Sequence, residues 1–94
     1  MFHIHVFYRA ENREMLHKFY EDVKAAGIIE SSRQDAGNLR YDYYFNAERE
    51  NEILLVEKWE SRELQQAHDV LPPQEELARL KAKYNIKTEI EEIE

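Results

Sequence analysis

A chain of 94 residues can bury one thin core but not two, so it reads as one domain over residues 1–94, to which a partner subunit would add covered surface. Its 20 acidic and 13 basic residues leave a net charge of −7, which argues against a nucleic-acid ligand and against adsorption to anionic membranes. With 43% hydrophobic residues and no cysteine, intrinsic disorder, disulfides, thiolate metal sites and cysteine nucleophiles are excluded.

Phe2, Ile4, Val6 and Tyr8 alternate with His3, His5, Phe7 and Arg9, which is the period of a strand. From Glu11 the spacing changes. Leu16, Phe19, Val23 and Ala26 recur every three or four residues, with Met15 widening the stripe, and predict an amphipathic helix stopped or kinked at Gly27. Ile28 and Ile29 lead into a polar stretch, Glu30–Asn38, that closes on a Gly37-Asn38 turn. Leu39, Tyr41, Tyr43 and Phe45 then alternate with Arg40, Asp42, Tyr44 and Asn46 as a second strand. A charged hairpin connection, Ala47–Asn51, leads to a third strand over Ile53–Glu60, whose Ile53–Val56 run is apolar on both faces and must be covered twice. Ser61 is a good N-cap, and Leu64, Ala67, His68 and Leu71 at i, i+3, i+4 and i+7 predict a helix turning His68 inward. Pro72-Pro73 ends that helix and opens another carrying Leu77, Leu80 and Tyr84. Ile86, Thr88 and Ile90 alternate with Lys87, Glu89 and Glu91 in a fourth strand.

The order β-α-β-β-α-β predicts an α+β ferredoxin-like sandwich, a four-stranded antiparallel sheet with helices on one face. The other face then carries Leu54, Val56, Tyr44 and Phe7, an apolar patch that a second copy would cover about a two-fold axis. The expected state is therefore a homodimer with a barrel-like core. The Met1–His5 start lacks the basic stretch and apolar run of a signal peptide, and no window approaches the roughly 20 apolar residues of a membrane span, so a cytoplasmic protein is expected.

Several side chains are suited to chemistry. His68 shares the inward helical stripe, so it is either a buried histidine bonded to a backbone carbonyl or a general base titrating near neutrality. Trp59 is either a core or rim residue or an apolar wall for a flat ligand. Glu57 falls on the strand face of Ile53, Leu55 and Trp59, where a buried carboxyl needs a partner (Arg33, His5 or His68) or a raised pKa; otherwise it lies at the sheet edge in water. Tyr41 and Tyr43 share the helix-facing side of their strand and would line a cavity there. His3 and His5 lack a third ligand at matching spacing, so no metal site is expected. Ser31 and Ser32 lack the flanking glycines of a nucleophile elbow, and there is no glycine-rich phosphate loop.

Two segments, Ser32–Asp42 and Val56-Glu57-Lys58-Trp59-Glu60-Ser61 followed by Leu64 and Ala67-His68, resemble the antibiotic-biosynthesis-monooxygenase family, in particular its quinol-monooxygenase-like members. The resemblance implies a dimeric α/β-barrel and a cavity in each subunit lined by Trp59, His68, Glu57 and Tyr41. It implies oxidation of a small quinol or hydroxyaromatic by O₂ without flavin, haem or metal, with His68 as base and Trp59 as stacking wall. Tyr43, His5 and Arg33 complete the expected substrate-binding set. Where many relatives carry a Pro-His pair after the helix histidine, this chain has Pro72-Pro73, so schemes needing two histidines are not implied. Haem degradation is not implied either, because His68 falls where that branch has a tryptophan. Two other functions fit the same residues: isomerisation of a small carbonyl compound, and non-catalytic binding of small aromatic molecules.

Overall fold

The computed structural model describes residues 1–93. Four strands, β1 (Phe2–Arg9), β2 (Asn38–Phe45), β3 (Glu52–Trp59) and β4 (Lys87–Ile93), form one antiparallel sheet in the order β2-β3-β1-β4. Four helices, α1 (Arg13–Ala25), α2 (Ile28–Gln34), α3 (Arg62–Asp69) and α4 (Pro72–Lys83), lie on one face of it, as the ferredoxin-like reading requires. No helix among the described residues is long and apolar enough to cross a membrane.

Local chemistry sets the element ends. Asn12 Oδ1 accepts the Met15 N–H at 2.9 Å, so α1 opens two residues later than its first acidic residue, Glu11. Gly27, at φ +75°, takes the left-handed conformation that separates α1 from α2. α2 is a correction to the polar stretch expected after Ile29. It is only seven residues long and buries Ile28, Ile29 and Ser32, too few positions to register as an apolar stripe. Ser32 Oγ bonds back to the Ile28 carbonyl at 2.7 Å, which lets a hydroxyl sit in the core.

The core lies between sheet and helices. Ile4, Val6 and Tyr8 of β1, Tyr41 of β2, and Ile53, Leu55 and Trp59 of β3 meet Leu16, Phe19 and Val23 of α1 and Leu77 and Leu80 of α4. β3 is a central strand, which accounts for its continuous apolar run. α3 departs from its predicted stripe: His68 is its sole buried residue, Leu64 is half-buried, and Ala67 and Leu71 face solvent. Ser61 caps α3 as expected, its Oγ accepting the Leu64 N–H at 3.2 Å.

Candidate active site

A cavity of about 220 Å³ opens beneath the α3–α4 corner. Its floor is Ile4, Val6 and Tyr8 of β1 with Tyr41 and Glu57 of the neighbouring strands, and its helical walls include Gln65 and Asp69 of α3 and Gln74 and Lys81 of α4. A space of roughly 150 Å³ already accepts one benzene ring, so the cavity suits a single-ring ligand.

Glu57 is the buried carboxyl of this cavity, 6% exposed. Trp59 Nε1 donates to its Oε1 at 3.0 Å, so the partner is neither Arg33 nor a histidine but the indole two residues along the same strand face. Burial pushes the Glu57 carboxyl above its ordinary range, and nearby Asp69 adds to the rise; the Trp59 hydrogen bond and His68 pull the other way. The neighbouring phenols of Tyr8 and Tyr41 are raised too, chiefly by burial, so both stand as neutral hydroxyls.

His68 and Trp59, expected on the cavity wall, do not line it; both are buried and form the layer behind Glu57. Their rings lie 4.6 Å apart, and the Tyr41 ring is 5.8 Å from His68. The His68 ring is tied by Nδ1 to Asp35 Oδ2 at 2.6 Å; with the carboxylate as acceptor, Nδ1 carries the proton. The chain of contacts therefore runs Asp35, His68, Trp59, Glu57, from the end of α2 to the cavity wall.

The other expected residues divide. Tyr41 lines the cavity. Arg33 supports it from outside, its Nε donating to the Tyr41 carbonyl at 3.0 Å and its Nη2 to Asp42 Oδ1 at 3.4 Å. Tyr43 belongs to a separate hollow with Tyr20, Lys24 and Arg33. His5 pairs with Val56 and Glu91 on the open face, so the sheet separates it from Glu57. Asp35, Asp69, Lys81, Gln65, Gln74 and Tyr8 were not foreseen as site residues. Tyr8 could have been found from the β1 alternation, and Gln74 with Lys81 from their i, i+7 spacing beside the apolar Leu77.

This is a ferredoxin-like α+β domain with a small aromatic-walled cavity between sheet and helices. Residues 1–79 match the antibiotic biosynthesis monooxygenase family, and the chain belongs to that family. Among solved structures, a candidate antibiotic biosynthesis monooxygenase from Deinococcus radiodurans superposes with a TM-score of 0.87 at 20% identity, over 100% of this chain and 91% of its own. PA3566 from Pseudomonas aeruginosa gives 0.81 at 14% identity, over 98% of this chain and 91% of its own. SnoaB, a cofactor-independent oxygenase from Streptomyces nogalater, gives 0.75 at 8% identity, over 99% and 90%. At such identities the likeness establishes the fold. No curated protein matches the chain.

Proposed function

We propose that this protein is a cofactor-independent monooxygenase that oxidises a small quinol or hydroxyaromatic with O₂. One observation carries the proposal: a buried carboxyl of raised pKa, Glu57, on the wall of a cavity sized for one ring. Family membership and the likeness to a cofactor-independent oxygenase support the reaction type.

The chemistry balances without a redox cofactor. Glu57 as carboxylate takes a phenolic proton, and the resulting quinolate is electron-rich enough to pass one electron to O₂. Recombination forms a carbon–oxygen bond and a ring hydroperoxide. Glu57 returns its proton to the peroxide, and loss of the ring hydrogen on the peroxy carbon with the distal oxygen, together as water, leaves a hydroxyquinone. The quinol supplies all four electrons; one oxygen atom enters the product and the other leaves as water. Tyr8 and Tyr41 provide neutral hydroxyls along the ring, and Ile4, Val6 and Leu77 give the ring apolar contact. Trp59 orients the carboxyl, while His68, held by Asp35, orients Trp59. The active unit is a homodimer joined through the open sheet face.

Oxygen uptake with substituted hydroquinones and menadiol, corrected for autoxidation and repeated anaerobically, tests the reaction. The expected result is protein-dependent, O₂-dependent turnover favouring the single-ring quinols, with one ¹⁸O atom from ¹⁸O₂ in the product. Glu57→Gln should lower the rate by roughly 10²–10⁴-fold. His68→Ala should shift the pH profile upward, because Glu57 loses a neighbour that favours its ionised form. Turnover that continues without O₂ points to isomerisation instead, and tight binding with no turnover points to a binding module.

A further inference from the structure

Helix α4 brings two nitrogen donors to the cavity. Gln74, Ala78 and Lys81 stand at i, i+4 and i+7, so they share one helical stripe, and all three line the cavity. Gln74 Nε2 is buried and has no hydrogen-bond partner among the described residues. Lys81 Nζ reaches inward to within 5.4 Å of the Tyr8 ring centroid, a core residue of β1. Burial lowers the Lys81 pKa, and no neighbouring acid offsets this. Two residues along, Lys83 instead turns outward to Asp22. Gln74 Nε2 therefore lacks the acceptor that a buried donor requires, and Lys81, half-buried over the Tyr8 ring, forms no ion pair among the described residues.

The opposite wall has the complementary character. Glu57 of β3 offers a carboxyl to a ligand hydroxyl, and the apolar side chains of Ile4, Val6 and Leu77 span the distance between. A ligand that satisfies both walls has a hydroxyl at one end of an apolar ring and a hydrogen-bond-accepting anion at the other. We infer that the cavity takes a carboxylated hydroxyaromatic, its ring hydroxyl at Glu57 and its carboxylate received by Lys81 Nζ and Gln74 Nε2. A carboxylate fits better than a phosphate dianion, since one ammonium cancels one charge and Asp69 and Glu57 oppose a second. The chain's net charge of −7 also repels anions at long range, so a local cation is needed for an acid to enter. The inference rests on the reading of this cavity as the substrate site, and it names the substrate class.

Anaerobic titrations followed by the fluorescence of Trp59, the chain's one tryptophan, and by calorimetry test it directly. The ligands are hydroquinone, 2,5-dihydroxybenzoate and the methyl ester of that acid. The acid is expected to bind at least about tenfold more tightly than its ester, because charge-assisted hydrogen bonds are the stronger kind. Lys81→Met should abolish that preference by weakening the acid far more than the ester, and Lys81→Arg should retain it. Gln74→Glu, which sets a carboxylate against the acid, should weaken the acid more than the ester. Equal binding of acid and ester to the wild type, a preference that survives Lys81→Met, or no binding of any of the three overturns the inference. Oxygen uptake separates the two proposals. Turnover of neutral quinols without an acid preference sinks this one and leaves the oxidation standing; a Lys81-dependent preference without O₂ uptake does the reverse.

Discussion

Glu57 sits on a central strand with one hydrogen bond to the indole and a folded-state pKa raised mainly by burial. A carboxyl whose pKa is higher folded than unfolded binds protons more readily in the native state, so stability falls as pH rises from the unfolded value towards the folded one. Glu57→Gln keeps an acceptor for Trp59 and cannot ionise. It should therefore raise Tm by a few degrees at pH 8 and make little difference at pH 3, where the wild-type carboxyl is protonated in both states. Thermal unfolding at the two pH values checks this, and a Gln variant less stable at pH 8 would show that the carboxylate is well solvated or paired. The same substitution abolishes the proposed base, so stability gained against activity lost is the expected signature. Strand alternation alone was enough to mark Glu57 as an acid among apolar residues. Its partner was not legible, because an i, i+2 bond between Trp59 and Glu57 depends on side-chain rotamers. Nor was the division of labour with His68, which depends on how far α3 stands from the sheet.

At the scale of elements, strands were the most legible, since β1 and β2 alternate over eight residues each and β3 reads as a continuous apolar run, so the pairing register follows from which face is buried. Short helices were not. α2 hides among polar residues and yet supplies Arg33 and, at its C-cap, Asp35, so missing the helix meant missing the partner of His68. α3 carries an apolar pattern that its tertiary position leaves unused, with Val70 beyond its end 81% exposed. What fixes α3 is a close approach at Gly37, which has φ +81° and where a Cβ would lie 2.4 Å from Leu64 Cδ1 and 2.9 Å from Leu64 Cβ. Gly37→Ala should therefore cost a left-handed penalty of about 1–2 kcal/mol and an overpacking penalty of about 1–3 kcal/mol. Gly27 is the control. It too has a positive φ, +75°, but nothing among the described residues lies within 4 Å of its Cβ position, so Gly27→Ala should cost only the left-handed penalty of about 1–2 kcal/mol. Denaturant unfolding of the two variants measures the difference, and equal losses would mean that α3 yields freely. Displacement of α3 should also loosen His68, so Gly37→Ala is expected to reduce turnover while Gly27→Ala does not.

Across the whole molecule the sheet has one covered face and one open one. Tyr44, Leu54 and Phe7 lie side by side on the open face, since Tyr44 pairs with Leu54 and Leu54 with Phe7, and Val56 and His5 form the adjoining row. Tyr44 is 44% exposed, whereas Val56 is already 5% exposed within one subunit, so the unsatisfied apolar surface centres on the first row. β4 contributes Lys87, Glu89 and Glu91 to the same face, which places a largely charged border beside the apolar strip. An apolar centre with a charged rim is the composition of a protein interface, and a two-fold axis lets one patch serve both partners. A chain of this size gains most from such an arrangement, because its own core is thin. Sedimentation velocity at micromolar concentration should show a dimer. Leu54→Arg, which sets a charge at the centre of the strip, should weaken association by about 2 kcal/mol or more, while Glu89→Gln at the border should shift it by less than about 1 kcal/mol. Leu54 points away from the cavity, so the monomeric variant also asks whether one subunit suffices for catalysis. Retained turnover in a Leu54→Arg monomer would confine the site to a single chain; a wild-type monomer would remove the dimer from the account altogether.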